Sequence, residues 1–433
     1  MKKILIISEL FFPMSKIGAV RPTKLAKYLH LKGYGVTVFT SDECLQKVEN
    51  APSLPYSVVY AKKQNVPMTG NKQTADDKAA NLGKETGRSV HSRIVNNVLQ
   101  EMRMTKRQYY SYQKGKAFHQ LFCDYINLGE IRLEEFECVF STFGPIGSLL
   151  SGMEAKKRNP SLIWINDFRD PMVSQIMPKS FAPYYKHLQR KSINTADYTV
   201  AVSEGYKKRM SFHRMKGNIS VIPNGYDKDD LLIDESSDVS FSFAYVGALY
   251  EGKRDVSTLF KCLRELIDNQ IIKSEQIQFH YAGNEGNVLL AQAQKYELGE
   301  TVVDHGLVNR EESIKIQSRV RFLVLSTWND KGEEGVFPGK LLEYMLMYKP
   351  VVSIVGGALS NSEVTQVINK MRLGISYENA DKDTEKLLYE WLKKQAIQFA
   401  EGKPAIFNPD REAISQTYDW EHIVERFCEL ING

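Results

Sequence analysis

Short apolar runs, each leading into a longer stretch of helical periodicity, recur along the chain in two separate series. The first opens with a strand at residues 3–8, a loop at 9–20 and a helix from about 22 to 32. Gly33 stops that helix, and a second strand follows at 36–40. Strand, crossover helix and strand form the unit from which helix-covered parallel sheets are built. Strands at 137–142, 162–166, 198–202 and 219–222 continue the series, with helices at 146–157, 184–195 and from Ser203. At Phe241 the pattern restarts, with strands at 241–247, 278–283, 301–304, 320–325 and 351–355 and a helix at 256–269. The expected fold class is α/β, with two Rossmann-like doubly wound domains, since 433 residues exceed one typical core. Residues 1–225 form the expected first domain and 226–412 the second. The acidic, apolar-poor segment 227–239 reads as the linker between them. The last helix, about 420–431 within 413–433, is expected to pack back on the first domain.

Composition narrows the class. Hydrophobic content of 42% and charge of 25% suit a soluble globular protein. No apolar run has the length needed to span a bilayer, and the start (Met1 to Ser8) is too short in its apolar part for a signal peptide. Five scattered cysteines without CxxC spacing read as reduced and structural, which fits a cytoplasmic location and argues against a zinc site. The carboxylates of residues 227–230 are likewise a poor metal site in a linker. Charge is uneven: residues 1–200 carry 29 Lys and Arg against 17 Asp and Glu, the remainder 28 against 35. The first half is therefore expected to meet something anionic: nucleic acid, an acidic membrane surface or a phosphorylated substrate. Its basic residues lie in no recognisable nucleic-acid module, which disfavours the first of these.

Within that half, residues 61–88 are polar and read as a mobile surface loop. Helical periodicity returns over about 90–122, where Ile94, Val95, Val98, Leu99 and Met102 share a face. Arg93, Arg103, Lys106, Arg107, Lys114 and Lys116 crowd the rest, with Tyr109, Tyr110 and Tyr112 among them. Such a helix suits the headgroups of an anionic membrane. A core helix with a solvated basic face accounts for the same residues.

Three stretches carry possible chemistry. An apolar strand leads through Trp328, Asp330, Glu333 and Glu334 to Gly335-Val336-Phe337-Pro338-Gly339-Lys340-Leu341-Leu342-Glu343-Tyr344, closed by Lys349-Pro350. Pro338 suits a first helical position, and Gly339 lets a ligand approach the backbone. The helix start and Lys340 suit a diphosphate, and Glu343, one turn further in, could accept bonds from two ribose hydroxyls. An ordinary strand-to-helix turn with a solvated Glu fits equally well. The second stretch, Asp167-Phe168-Arg169-Asp170-Pro171, ends a strand with two carboxylates and a guanidinium. It could bind sugar hydroxyls or a leaving phosphate, or be a self-satisfied ion pair. Gly18 and Arg21 follow the first strand, where open α/β sheets bind ligands, although Gly18 also fits a plain turn. Lys253 and Arg254 stand at the corresponding place in the second domain. No GxGxxG occurs, which argues against a dinucleotide-binding dehydrogenase.

Taken in order, several segments resemble the GT-B glycosyltransferases, and most closely family four, the retaining enzymes that use nucleotide-diphosphate sugars. The resemblance spans nearly the whole chain. It is carried by Glu9-Leu10-Phe11-Phe12-Pro13 with Gly18 and Arg21, Phe143-Gly144-Pro145, Trp164 to Pro171, Ile222-Pro223-Asn224-Gly225-Tyr226-Asp227, Tyr245-Val246-Gly247, and Phe337-Pro338-Gly339-Lys340 with Leu341 and Glu343-Tyr344. It implies two domains facing a central cleft, with the donor bound mainly by the second and the acceptor against the first. Glu343 would hold the ribose, Gly247, Gly339, Lys340 and Leu341 would sit by the diphosphate, and Lys253 and Arg254 would supply positive charge. Gly18 and Arg21 would approach from the other domain. Asp167, Arg169 and Asp170 fall where many relatives place a catalytic-site histidine and its neighbour. Two positions depart: Gly335 stands where many relatives have a first glutamate, with Glu334 beside it, and Ala248 where many have arginine.

The resemblance implies a retaining transferase that moves a sugar, from a UDP-sugar by expectation, to a glycan or lipid-linked acceptor in surface polysaccharide synthesis. The nucleotide sugar is a co-substrate, and neither cofactor nor metal is expected. Attachment to the inner face of the cell membrane through the basic first domain is a further expectation. A non-catalytic nucleotide-sugar-binding partner subunit and a nucleotide-sugar epimerase of the same architecture are the alternatives, although none of the eight histidines falls in a motif suited to the epimerase.

Overall fold

The computed structural model describes residues 1–46, 52–62, 90–173, 177–213, 215–230 and 240–433, without the side chains of 90–100. Most of the expected loop at 61–88, the later part of the linker at 227–239, and Arg93, Ile94, Val95, Val98 and Leu99 as side chains lie outside the described residues. The chain divides into two compact units, Met1–Val200 with Phe212–Ile219, and Ala201–Ser211 with Ser220–Gly433.

In chain order the first sheet and its helices are β1 (Lys3–Ile7), α1 (Ile17–Leu31), β2 (Gly35–Ser41), β3 (Ser57–Ala61), α2 (Val90–Asn127), β4 (Cys138–Phe143), α3 (Ile146–Arg158), β5 (Ile163–Phe168), α4 (Ala182–Thr195), β6 (Tyr198–Ala201), α5 (Glu204–Met210) and β7 (Ile219–Val221). The strand order is β3-β2-β1-β4-β5-β6-β7. The pairs β1–β2, β1–β4, β2–β3 and β4–β5 are parallel, with α1 crossing between β1 and β2 and α3 between β4 and β5. Two details differ from expectation. β3 is an extra strand, and its five residues follow Pro52 and Pro55 too closely to show a clear alternation. Helix α1 starts at Ile17 rather than near Pro22, so Gly18 lies in its first turn and not in a loop. Pro22 lies inside α1, where it removes one backbone donor and its ring crowds the Gly18 carbonyl.

The second sheet and its helices are β8 (Phe241–Val246), α6 (Ser257–Asp268), β9 (Ile277–Ala282), α7 (Gly286–Gln294), β10 (Val302–Asp304), α8 (Arg310–Arg319), β11 (Phe322–Trp328), α9 (Lys340–Met347), β12 (Val351–Gly356), α10 (Glu363–Lys370), β13 (Gly374–Glu378), α11 (Asp383–Ala400), α12 (Arg411–Tyr418) and α13 (Trp420–Asn432). The order β10-β9-β8-β11-β12-β13 reverses direction between β8 and β11, the position where open α/β sheets bind ligands. Alternation along β8 divides the core. Phe241, Phe243 and Tyr245 pack with Phe260, Phe279 and Phe322 on one face. Ala244 and Val246 lie under Leu341, Tyr344 and Met345 of α9 on the other. The Tyr344 hydroxyl donates to the Val324 carbonyl at 3.1 Å, which fixes α9 to β11. Pro338 precedes α9 instead of opening it: Leu341 N–H bonds to the Pro338 carbonyl in a tight first turn, and Gly339 stands at the cap.

The segment Ala201–Ser211 belongs with this second unit, and it explains Gly335. Gly335 has φ +81°, and a Cβ there would lie 2.7 Å from the Gly205 Cα and 2.8 Å from Ser203 Oγ. Ser203 Oγ donates to the Gly335 carbonyl at 3.0 Å, and Glu363 accepts from the Glu204 and Gly205 amides at 3.0 and 3.2 Å. No side chain fits at 335 while this helix start is seated. Gly335→Ala is expected to destabilise the second unit by about 2 kcal/mol or more, through backbone strain plus overpacking. Gly339→Ala, with φ −58° and nothing within 4 Å of the added Cβ, is expected to leave thermal unfolding unchanged.

Candidate functional site

The residues singled out in the second unit converge at the carboxyl ends of β8 and β11. The loop after β8 passes through Tyr250 and Glu251 with φ +53° and +55°, a left-handed conformation costly for side-chain-bearing residues. Glu285 holds it there, accepting from the amides of Leu249, Tyr250 and Glu251 at 2.6, 3.1 and 2.7 Å. Tyr281 completes the support, donating to the Gly247 carbonyl and accepting from the Glu285 amide, each at 3.1 Å.

From this loop Arg254 reaches back over the Tyr250 ring, 4.6 Å from its centroid and 5.6 Å from that of Trp328. It donates to the Ala248 carbonyl at 3.3 Å, while its buried Nε has no hydrogen-bond partner among the described residues. Lys253 lies 4.0 Å over the Trp328 ring and is paired with Glu333 at 2.8 Å. Lys340 runs against Gly247, whose added Cβ would lie 3.0 Å from the lysine Cε. Gly247 has φ +129°, so glycine is needed there both for conformation and for room. Burial lowers the Lys340 pKa, Glu343 opposes that, and the charges of Arg254 and Arg310 push it further down. Glu343 is half-buried and faces Arg310 at 3.6 Å. The amides of Gly339 and Lys340 have no acceptor among the described residues, whereas that of Leu341 is taken by Pro338. Gly247, Arg254, Gly339, Lys340 and Glu343 thus form one cluster, cationic except for one carboxylate. Leu341 is fully buried beneath it, and Lys253 is diverted to Glu333. Glu334, beside Gly335, directs its carboxylate to the Gly332 amide at 2.7 Å.

The first unit gathers a second cluster at the carboxyl ends of β1, β4 and β5. Arg21 and Asp167 form a bidentate pair, with contacts of 2.8 to 3.1 Å and side chains 2% and 0% exposed. Thr142 Oγ1 donates to Asp167 at 3.0 Å, so both carboxylate oxygens are occupied within the unit. Arg169 lies against two glycines: an added Cβ would come 2.6 Å from its Nη1 at Gly18, and 3.0 Å from its Nη2 at Gly144. The Gly144 carbonyl accepts from Arg169, whose buried Nε has no hydrogen-bond partner among the described residues, and Asp170 beside it is exposed. Among the described residues no group of three or more His, Cys, Asp or Glu is placed to hold a metal ion.

Several site residues escaped the sequence reading. Glu285 and Arg310 follow β9 and β10, and only the sheet order brings them beside Arg254 and Lys340, whereas Tyr250 and Trp328 stand at the ends of β8 and β11 themselves. A usable signal was their common position, just after an apolar strand. Glu9, known from its motif alone, proves to be 6% exposed and accepts from the Gly147 amide at 2.6 Å, at the start of α3.

The basic helix is confirmed as α2, and α4 joins it. Gln108 Nε2 donates to the Tyr185 hydroxyl at 2.8 Å, and the Tyr112 and Tyr184 hydroxyls lie 3.1 Å apart. Arg103, Lys106, Arg107 and Lys116 on α2 and Lys186, Arg190 and Lys191 on α4 are exposed, as are Met102, Tyr109, Tyr110 and Tyr184. Residues 102–123 and 171–196 contain no Asp or Glu. Lys114 is paired with Glu43 at 2.5 Å. No described helix is long and apolar enough to cross a membrane.

Residues 240–384 match the family model described as Glycosyl transferases group 1. No curated protein matches the chain in sequence. Among solved structures, the chain is similar to a sucrose-phosphate synthase from Thermosynechococcus elongatus, at 14% identity and TM-score 0.62, covering 100% of this chain and 98% of that one. It is also similar to an α,α-trehalose 6-phosphate synthase from Burkholderia multivorans, at 11% identity and TM-score 0.55, covering 100% and 98%. A lipopolysaccharide outer core galactosyltransferase, WaaB, follows at 15% identity and TM-score 0.52, covering 99% of each chain. At these identities the likeness is one of fold, and the two-sheet architecture read from the sequence is the one these chains share.

Burial pushes the Glu9 carboxyl up to about 7 from 4.5. Between those values the folded chain keeps a proton that the unfolded chain releases, so stability falls as pH rises through this window. Denaturant titrations from pH 5 to 8 are expected to show that loss, on the order of 3 kcal/mol at most. Glu9→Gln, which still accepts from Gly147, is expected to flatten the profile.

Proposed function

We propose that the chain transfers a sugar from a nucleoside-diphosphate sugar to a glycan or lipid-linked acceptor, a reading supported by the match of residues 240–384 to the Glycosyl transferases group 1 model and by the GT-B fold. One observation carries the proposal: Arg254, Lys340, Arg310 and the open amides of Gly339 and Lys340 surround one half-buried carboxylate, Glu343. That combination matches a nucleoside diphosphate, with cations and amides for the phosphates and a carboxylate for two ribose hydroxyls. UDP is the expected nucleotide.

In the reaction, the bond between the sugar's anomeric carbon and the diphosphate oxygen breaks. The acceptor hydroxyl oxygen bonds to that carbon, and its proton passes to the departing phosphate oxygen. Attack on the face the diphosphate leaves would retain the anomeric configuration. Arg254 and Lys340 stabilise the charge that grows on the leaving group, and such preorganised donors are each worth about 3 kcal/mol in comparable sites. Holding both near their positions before the donor arrives reduces the reorganisation needed as the bond breaks. In the first unit, Arg169 and the exposed Asp170 are the groups proposed to meet substrate. Asp167 and Arg21 hold that strand end in place.

Purified protein given UDP-sugars is expected to release UDP, faster with acceptor present. Glu343→Ala is expected to lower kcat/KM by roughly 10- to 100-fold, the loss of a hydrogen bond to a charged group. Binding without turnover under any donor and acceptor pair would favour a non-catalytic partner subunit instead.

The acid-free basic and aromatic faces of α2 and α4 support a second part of the proposal, peripheral contact with an anionic membrane carrying a lipid-linked acceptor. Cations near such a surface contribute about 1 kcal/mol each at physiological salt. Flotation with anionic liposomes at low salt is expected to recover the protein. Changing Arg103, Lys106, Arg107, Lys186 and Arg190 to alanine is expected to leave it at the bottom of the gradient.

A further inference from the structure

The cations around Glu343 differ in how firmly each is held. Lys253 is tied to Glu333 and stacked on Trp328. Arg254 is held by the Ala248 carbonyl and by two aromatic rings. Lys340 lies along Gly247, half-buried. Arg310 has only Glu343 as a charged partner among the described residues, at 3.6 Å, with 61% of its side chain exposed.

Its backbone, by contrast, is fixed. Arg310 is the first residue of α8, directly after the cap Asn309, whose side chain accepts from the Glu312 amide at 2.9 Å. An exposed guanidinium thus extends from an anchored helix start. A long, half-exposed ion pair of this kind is weak and easily exchanged. Its charge is felt both by Glu343 and by Lys340, three residues earlier on α9 and on the same face. Glu343 is the group suited to ribose and Lys340 the group suited to phosphate, so Arg310 stands within reach of both parts of a nucleotide.

We propose that Arg310 has two positions, occupying the Glu343 carboxylate in the unliganded chain and moving to the diphosphate when ribose hydroxyls take that carboxylate. The inference rests on the nucleotide-sugar reading of the site and assigns the chain's preference for a diphosphate over its nucleoside. A nucleoside must break the Arg310–Glu343 pair and gives the released guanidinium nothing in return. A nucleoside diphosphate supplies the anion that receives it, through the bidentate geometry guanidinium groups favour with phosphate oxygens.

The two ligands should therefore respond to loss of Arg310 in opposite directions. Calorimetric titration of the full chain with uridine, adenosine and guanosine, and with their 5′-diphosphates, measures this directly. For the base that binds, Arg310→Ala is expected to weaken the diphosphate about tenfold, the scale of one charged contact. It is expected to tighten the nucleoside about twofold, the scale of a weak exposed pair. Arg310→Lys, which keeps the charge, should recover part of the diphosphate affinity. Equal shifts for the two ligands, or no shift in either, overturn the inference while leaving the nucleotide reading standing. A lysine variant indistinguishable from the alanine variant also overturns it. Failure of the unaltered chain to bind any of the diphosphates overturns the nucleotide-sugar reading, and this inference with it.

Discussion

Three amides bonded to one carboxylate set the shape of the second unit's site. Without Glu285, the turn through Leu249, Tyr250 and Glu251 would have to keep two consecutive left-handed residues without compensation, at a cost of about 1–2 kcal/mol each. Arg254 hangs from that turn, and its direction follows from the turn together with the rings of Tyr250 and Trp328. Glu285 therefore determines where positive charge is available, although the charge itself belongs to other residues. Tyr281 links the arrangement to the sheet by bonding both the Gly247 carbonyl and the Glu285 amide.

The first unit solves a comparable problem by other means. Its strand ends carry a buried Arg21–Asp167 pair satisfied by Thr142, and beside it Arg169 packed against Gly18 and Gly144. Burying two charges costs desolvation energy that their attraction barely offsets, so such a pair contributes more to position than to stability. Here it fixes the first turn of α1 to β5, and with it the glycine against which Arg169 lies. Burial lowers the Arg169 pKa and the nearby Arg21 charge adds to that, while Asp170 and Asp167 oppose it.

Much of this organisation was legible in the residues. Eleven expected strands appear because alternating or continuous apolar runs such as those in β1, β8 and β12 leave no other way to bury their side chains. β3 and β13 were missed: Ser57–Ala61 and Gly374–Glu378 are five residues each and too polar or too close to proline to stand out. In the site, Gly339, Lys340 and Glu343 could be read together because they share one turn of α9. Arg310 and Glu285 could not, since each is an ordinary charged residue after a strand until the order of β9, β10 and β8 sets them side by side. The Gly335 departure was also opaque from its own neighbourhood. Its reason, Gly205, lies 130 residues earlier.

That distant contact bears on how the molecule could be divided. The helix Glu204–Met210 is encoded between two strands of the first sheet, yet it covers the loop leading into α9. A gene truncated to begin after β7 would supply every residue of the second sheet and still lack this lid, leaving bare the glycine backbone that precedes Lys340. Any graft that exchanges the second unit between such chains would have to carry two discontinuous pieces of sequence, the short one as much as the long.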